Sequence, residues 1–447
     1  MKKISLLVTL ASTLIAAAGE PGAGVAPPVP RSFGERALTL DDCLVAAQRD
    51  HPLLAAAQAG VAAADEAIGE ARAPLYPQFD LNAGYHRWQR RAFLPAGLTI
   101  PGRNIPDIIG PLDDWNGGVI SRLTLYDFGE RRASVEAARA RHAGAMADAT
   151  TLGADVRLNI RHAFYALAAA KELKVVADKN LARTEAHERL ASARQLAGAV
   201  PQADVLRTQA EVANARLQLI SAESRVRVAA GRLNTAMGRN ADAPVEITPP
   251  TAAPPPPVRT DVDAAVTRAI AQRPEISAGE KRTEAARAAV AAAKAGRAPK
   301  LRADAAFGWR DTGFLPDTQE WQAGLSIDFP LFDGNSRARR LARTKAELAR
   351  EEATFAQRRL QVREEAWSAA VELERAWAAI AATEATVRAS EESLRIVQER
   401  YERGAAVVTD LLDTQIALAR AENGLTEARW TYLAARAFFD RAVGAGL

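Results

Sequence analysis

The sequence has 447 residues, of which 48% are hydrophobic and 25% charged, a balance that excludes a disordered or collagen-like chain and allows a sizeable core. The formal charge of +4 is small and the arginines are scattered, which does not favour binding to nucleic acid. The five histidines form no HExxH motif, and there is no Walker loop, nucleophile elbow or CxxC pair, so the sequence predicts no enzyme, no metal site and no cofactor.

The N-terminus has the pattern of a secretory signal peptide, which we assign to residues 1–18. Lys2 and Lys3 precede an apolar run from Leu6 to Ile15, and small residues follow as a cleavage site. Residues 19–36 are rich in proline, glycine and alanine and are predicted to be an extended N-terminal arm. Because Cys43, the only cysteine, lies well beyond the predicted cut, we expect an exported protein with no lipid anchor and no internal disulfide.

A first repeat, residues 37–240, alternates between helical and strand patterns. Thr39 is placed to cap a helix with two aspartates in its first turn, and Pro52 can interrupt this helix. A period of two then predicts two strands, and a proline-free, alanine-rich stretch predicts a very long helix. The expected elements are strands over about 78–89 and 117–128, an external loop from Phe93 to Asp114 between them, a long helix over 130–197 and a return helix over 202–238.

The same pattern occurs a second time. A shift of 206 residues puts Leu125–Gly129 on Leu331–Asn335 and holds without a gap to Gln209 on Gln415. A proline-rich linker at 241–260 separates the repeats, and the second repeat, 261–447, has predicted strands at about 300–310 and 320–330, a long helix at 336–403 and a return helix at 408–443. Each long helix would be roughly 100 Å long, so the chain is an internal duplication of an elongated helical hairpin that carries a β-hairpin.

Each predicted strand has an apolar, aromatic face and a polar face. In the first strand Phe79, Leu81 and Tyr85 alternate with Asp80 and Asn82. An outer-membrane barrel strand and a half-buried strand of a soluble antiparallel sheet both have this pattern, and the export signal and long helices favour the barrel. Four strands cannot close a barrel and open edges are not tolerated in lipid, so we expect several copies to join; three would give twelve strands.

The turns between long and return helices are the candidate sites. Gly198 and Gly404 can each end a long helix in the left-handed conformation. Asp204 and Asp410 then lie near the start of the return helix, where its exposed N–H groups stabilise a carboxylate. Simple capping can therefore explain this pair of aspartates.

Asp413 is different because its counterpart in the first repeat is Arg207. Asp410 and Asp413 are spaced i, i+3 and share a helix face. In a trimer, six such carboxylates would surround one end of the tube, and if they pointed inward they would form a polar constriction that attracts cations. A solvated helix face is the alternative.

Several segments together resemble the TolC-type outer-membrane efflux channels. They are Thr39–Asp42, the strands that follow Pro77 and Pro299, Tyr126–Gly129 with Phe332–Gly334, and Arg403–Asp413. The resemblance covers both repeats and essentially the whole mature chain. It implies a mainly α fold with a membrane β-barrel: a homotrimer in outer-membrane lipid, with a twelve-stranded β-barrel joined to a twelve-helix periplasmic α-barrel. It also implies two partners, a periplasmic adaptor protein and an inner-membrane pump.

The resemblance also implies roles for particular residues. Asp410 and Asp413 match the acidic ring at the closed periplasmic aperture, and Tyr401 and Asp204 match a polar link that holds the coils shut. The helix tips that meet the adaptor correspond to Gly198, Ala199, Val200, Gly404, Ala405 and Ala406.

A second polar link of the family is missing, because its positions are alanines, Ala203 and Ala406. We therefore expect the closed state to be held more weakly than in relatives that have both links.

The leading hypothesis is a passive outer-membrane exit duct of a tripartite efflux or type I secretion system in a Gram-negative cell, conducting small toxic compounds outward. The alternative is a periplasmic coiled-coil structural or adaptor protein without a pore. The sequence leaves the cargo open among organic solutes, metal ions and polypeptides.

Overall fold

A computed structural model describes residues 37–89, 92–93, 108–109, 112–249 and 261–445. The predicted signal peptide, the N-terminal arm and part of the linker lie outside the described residues. The helices are α1 Leu40–Asp50, α2 Pro52–Arg72, α3 Glu130–Leu196, α4 Gln202–Ala236, α5 Val262–Gln272, α6 Pro274–Ala295, α7 Ser336–Glu402 and α8 Val408–Ala442. The strands are β1 Gln78–Trp88, β2 Ala92–Phe93, β3 Ile108–Ile109, β4 Leu112–Tyr126, β5 Lys300–Asp311 and β6 Gln319–Asp328, and a 3₁₀ turn spans Ala73–Leu75.

Each repeat opens with two half-length helices separated by a single extended residue. Thr39 caps α1 in a capping box with Asp42. Pro52 and Pro274 then begin α2 and α6, and the residue before each proline is extended, with ψ of 121° and 129°. A residue before proline is disfavoured in the helical region, which explains why both columns break at this point.

The junction from strand to long helix is the same in both repeats. Phe128–Gly129 have φ of 53° and 90°, and Gly334–Asn335 have φ of 64° and 66°, so two left-handed residues precede each long helix. The carboxylates of Asp127 and Asp333 accept the backbone N–H four residues later, at 3.0 and 3.2 Å. These contacts satisfy N–H groups that a helix start leaves free. Both long helices then run for 67 residues and both return helices for 35.

The four long strands form one antiparallel sheet in the order β1-β4-β5-β6. The repeats meet at β4 and β5, where Gly118 faces Gly308 so closely that a side chain on either would contact the opposite backbone at 2.5 Å or less. Within the described residues, β1 and β6 each have a single strand neighbour. A sheet with two such edges presents unpaired backbone groups along both.

The structure corrects the predicted first loop. β4 begins at Leu112, not 117, so the end of the loop predicted from Phe93 to Asp114 belongs to the strand, and the two-residue strands β2 and β3 pair within the loop. The strand is longer because the last residues of β1 pair with this segment, with Trp88 opposite Leu112. The Tyr85 hydroxyl also donates a hydrogen bond to the Asp113 carboxylate at 2.8 Å. The other observed bounds lie within two residues of those expected from sequence.

The two faces of the sheet have the predicted chemistry. The apolar face includes Phe79, Leu81, Val119, Phe307, Trp321 and Leu325, all of which are exposed in the single chain. The opposite face has ion pairs, among them Arg122–Asp80 at 3.4 Å and Arg310–Asp114 at 2.6 Å. A large exposed apolar face indicates a surface that is covered in the functional protein.

The helical core is built mainly from alanine and short branched residues. α3 packs against α2, α4, α6 and α8 and is therefore the central helix of the chain. One cluster joins Ile160, Phe164 and Leu167 of α3 to Cys43 of α1 and Leu233 of α4, and all five are fully buried. Burial raises the pKa of the Cys43 thiol to about 11, so this cysteine packs as a small apolar residue.

A buried ion network fixes the break between α5 and α6. Arg273 pairs with Glu275 at 2.7 Å and with Glu365 of α7 at 2.5 Å. Arg441 of α8 pairs with the same Glu275 and with Asp155 of α3 at 2.7 Å. Burial raises the pKa of Glu275, but the two guanidinium groups outweigh it and bring the pKa to about 2. We find no helix among the described residues that combines the length and apolar character of a membrane span.

Candidate functional site

The turns at the ends of the long helices are built alike. Gly198 and Gly404 have φ of 72° and 77°. Each donates its N–H to the carbonyl three residues back at 2.9 Å, and the following residue, Ala199 or Ala405, donates to the carbonyl five residues back at 2.8 Å. This is a left-handed cap that satisfies the last carbonyl groups of a helix, and glycine adopts it without a steric cost.

The tips that these turns form are bare in the single chain. Gly198, Ala199, Gly404 and Ala405 are exposed, while Val200 and Ala406 are half-buried. Leu196 and Val407 beside them are 86% and 60% exposed. The tips therefore present small and apolar residues next to the exposed side chains of Gln195, Glu402 and Arg403.

Asp410 and Asp413 lie on the outer face of the first turns of α8. Val408, Leu411 and Leu418 on the opposite face are buried in a cluster with Tyr401 and Leu394 of α7. That packing fixes the orientation of α8 and leaves both aspartates exposed. Neither carboxylate has an ion pair within the described residues, so the two like charges remain uncompensated in one chain.

The corresponding turn of the first repeat is neutral. Arg207 stands where the second repeat has Asp413, and its guanidinium lies 3.6 Å from the Asp204 carboxylate. The Asp204 side chain is 17% exposed. The acidic pair is therefore a property of the second repeat alone.

Within the single chain no hydrogen bond joins Tyr401 to Asp204, and their link stays a prediction. Tyr401 is 2% exposed, and its hydroxyl has no hydrogen-bond partner among the described residues. Asp204 faces Arg207 on its own helix, and the guanidinium of Arg194 lies 4.6 Å above the Tyr401 ring.

Arg194 is the residue of this site that the sequence analysis missed. From the last turn of α3 it donates to the carbonyl of Tyr401 at 2.7 Å and to the carbonyl of Glu402 at 2.5 Å. One signal was available, because the same shift of 206 residues puts Arg194 on Arg400. An arginine in the last turn of a long helix is also an ordinary capping residue, so the sequence alone does not single it out.

A polar layer joins α3 to α8 above the tips. Gln415 donates to the hydroxyl of Thr184 at 2.5 Å, and both side chains are buried. Arg183 pairs with Glu422 at 2.6 Å. These contacts hold the first repeat against the second. Among the described residues no group of three or more histidine, cysteine or acidic side chains is arranged to hold a metal ion.

Comparison with known proteins agrees with this architecture. Residues 44–239 and 265–445 match the family described as outer membrane efflux protein. Protein CyaE of Bordetella pertussis is 30% identical over 380 residues, which cover 81% of this chain and 75% of that protein. The pyoverdine export outer membrane protein OpmQ of Pseudomonas aeruginosa is 25% identical over 429 residues, which cover 93% of this chain and 86% of that protein.

Among solved structures, the outer membrane protein VceC of Vibrio cholerae has the same fold. The TM-score is 0.78 at 21% identity, and the match covers 91% of this chain and 96% of that chain. The duplicated hairpins, the sheet and the family match all lead to one assignment. This chain belongs to the outer membrane efflux protein family and is a non-enzymatic exit duct of the Gram-negative outer membrane, with a periplasmic extension.

Proposed function

We propose that three copies of this chain close a twelve-stranded barrel that continues as a twelve-helix tube, and that the tube receives small toxic compounds from a periplasmic adaptor and an inner-membrane pump. The observation that carries the proposal is the pair of open strand edges on β1 and β6 within the described residues. Pairing β6 of one copy with β1 of the next saturates both edges, and three copies supply twelve strands.

We infer the contact between copies from a contact that is present inside one chain. Inside the chain, α3 of the first repeat packs against α6 of the second, with Gly144 of α3 lying against Ala278. Ala278 and Ala285, one heptad apart on α6, are 1% and 5% exposed. Their counterparts on α2, Ala56 and Ala63, are exposed. α2 therefore has the same small-residue face as α6, but nothing among the described residues covers it.

The complementary surface lies on α7. Arg339 and Arg343 are exposed at the positions where α3 has the buried Ala133 and Ala137. Glu70 of α2, seven residues beyond Ala63 on the same face, is also exposed. Large basic side chains opposite a small-residue face with an acidic end are complementary in both size and charge.

The break between the half-length helices supports the same arrangement. In the second repeat, Arg441 reaches Asp155 of α3 at this level. The first repeat has Thr235 at the position of Arg441, and beside it lies an open groove of about 1220 Å³ that also includes Leu53, the counterpart of Glu275. We infer that α7 of a neighbouring copy enters this groove as α3 does in the second repeat.

The trimer is tested by a pair of double variants with the same composition. Ala56→Arg with Ala63→Arg places two charges on the α2 face opposite the α7 arginines, and we expect it to abolish the trimer. Ala55→Arg with Ala62→Arg is the control, because these positions and their counterparts Ser277 and Glu284 are all exposed.

The readout is the mass of the purified protein in detergent. A trimeric control with a monomeric test variant supports the proposal. Two trimeric variants, or a monomeric wild type, contradict it.

The entrance of the duct follows from the same assembly. Asp410 and Asp413 from three copies would surround the periplasmic aperture as six carboxylates, and their repulsion is relieved by cations in the lumen. The bare tips around Gly198 and Gly404 are the surface that we assign to the adaptor.

The apolar sheet face distinguishes this function from its alternative. A periplasmic spacer without a pore would need that face covered by protein, and no described element covers it. An exit duct exposes it to lipid. OpmQ is a pyoverdine export protein by name, and we assign an export role of the same kind to this chain, with the cargo selected by the pump.

A further inference from the structure

We infer that Arg194 holds the periplasmic entrance of this chain closed by clamping the C-terminal turn of α7, the role that the Tyr401–Asp204 link was expected to have. The inference rests on the channel function proposed above. It concerns a contact between the two repeats that is present in the structure.

The clamp has three components. One guanidinium N–H donates to the Tyr401 carbonyl at 2.7 Å, a second donates to the Glu402 carbonyl at 2.5 Å, and the Arg194 guanidinium lies 4.6 Å from the centre of the Tyr401 ring. The Tyr401 carbonyl also accepts the Gly404 N–H of the cap at 2.9 Å, so Arg194 binds its second lone pair, and the helix dipole places partial negative charge on these last carbonyls. A planar cation with several fixed donors suits both features, and the ring face adds a cation–π contact.

The Arg194 contact is made to the segment that includes the two aspartates of the proposed aperture. Tyr401 is buried against Val408 and Leu411, so the end of α7 and the start of α8 form one packed unit. That unit includes Asp410 and Asp413. Because Arg194 belongs to the other repeat, the aspartates cannot move away from the first repeat unless its hydrogen bonds break.

Within the single chain, neither the Tyr401 hydroxyl nor the Asp204 carboxylate joins the two repeats as Arg194 does. The Tyr401 hydroxyl is buried without a partner among the described residues, and Asp204 faces Arg207 at 3.6 Å. Arg194 therefore gives the end of α3 polar contacts with the end of α7, beside the apolar packing of Leu190 on the cluster that contains Tyr401.

Because the chain is duplicated, the second repeat has an arginine at the position equivalent to Arg194. Arg400 of α7 is the counterpart of Arg194, is exposed, and reaches only the Ala405 carbonyl of its own turn at 3.4 Å among the described residues. Its equivalent target is the last turn of α3, at Gln195 and Leu196, in the neighbouring copy. Six arginine clamps, alternately within and between copies, would then surround the closed entrance.

The test is single-channel conductance of the purified full-length protein in planar bilayers. Arg194→Gln removes the charge and the paired donors, and we expect a several-fold rise in conductance or in the fraction of time spent open. Arg194→Lys keeps the charge without the planar donors, so its conductance should rise less. Arg189→Gln is the control, since Arg189 is exposed on the same helix and has no ion pair within the described residues; it should match the wild type.

Tyr401→Phe separates the clamp from the expected link. It removes the unpartnered hydroxyl and keeps both the ring and the carbonyl, so its conductance should change far less than that of Arg194→Gln. The inference is overturned if Arg194→Gln conducts like the wild type, or if Tyr401→Phe opens the channel as much. Trimer mass is checked for each variant, and the lysine variant carries the test if the glutamine variant does not fold.

The Asp410→Ala, Asp413→Ala double variant separates the two proposals. If it conducts more than the wild type while Arg194→Gln does not, only the clamp is wrong. If neither the wild type nor this double variant forms channels, the proposed duct is wrong and the clamp with it.

Discussion

The two repeats have helices of nearly equal length and equivalent turns, but they differ at several positions where one repeat meets the other. The second repeat covers α3 of the first, whereas the counterpart α7 is bare on the corresponding face. Positions that are equivalent in both repeats, such as Asp127 and Asp333, specify the fold. Positions that differ, such as Arg207 and Asp413, are those on which we base the proposed contacts between copies and the proposed entrance.

The break between the half-length helices shows the difference most clearly. The second repeat fills it with Arg273, Glu275 and Arg441, whereas the first repeat leaves a groove between Leu53 and Thr235. The same backbone geometry therefore has an internal ion network in one repeat and an open groove in the other.

Removing the centre of that network should have the largest effect on stability. Glu275→Ala leaves Arg273 and Arg441 buried with one carboxylate partner fewer each, so we expect a loss of about 3 kcal/mol in the free energy of unfolding. The control is Glu284→Ala on the same helix, where an exposed pair with Lys281 at 2.7 Å should contribute little. Denaturant unfolding in detergent measures both, and equal losses would contradict the assignment.

The pH dependence sharpens the same prediction. The folded-state pKa of Glu275, about 2, lies below its ordinary value of 4.5, so its contribution is complete above about pH 4.5 and is lost as the pH falls toward about 2. Glu275→Gln should remove this acid-sensitive part of the stability. An unchanged acid profile would show that Glu275 is not the group responsible.

Neutralising the entrance should have the next largest effect, and only in the second repeat. Asp410→Ala with Asp413→Ala should raise conductance several-fold and reduce cation preference, because six uncompensated charges leave the aperture. Asp204→Ala with Arg207→Ala at the equivalent positions removes a neutral pair and should leave ion selectivity nearly constant. Bilayer conductance with unequal salt on the two sides measures both quantities; unchanged selectivity in the first variant would exclude these carboxylates from the aperture.

The smallest expected effect concerns the turns that the repeats share. Asp127→Ala should destabilise the protein by about 1–2 kcal/mol, because a buried carboxylate that caps α3 and pairs with Arg131 is lost. Asp333→Ala should cost about 1 kcal/mol or less, since its pair with Arg337 is longer, at 3.7 Å, and partly exposed. Thermal unfolding of the two variants tests the order; a larger loss from Asp333→Ala would contradict it.

The sequence predicted the elements well because their signals are local. Alanine-rich, proline-free stretches, alternation with a period of two and the glycines of the tips all act within a few residues. The start of β4 at Leu112 was not predicted, because it depends on pairing with the far half of β1. The Arg194 clamp was missed for a similar reason, since it joins side chain and backbone 207 and 208 residues apart.

The most direct test of the account is the conductance of purified wild-type protein in a planar bilayer, with its mass in detergent measured on the same preparation. We predict a trimer that forms small, cation-preferring channels, because the entrance is closed by the carboxylates and the clamps. A monomer that is stable without detergent and forms no channels would contradict the central claim that several copies of this chain close a pore.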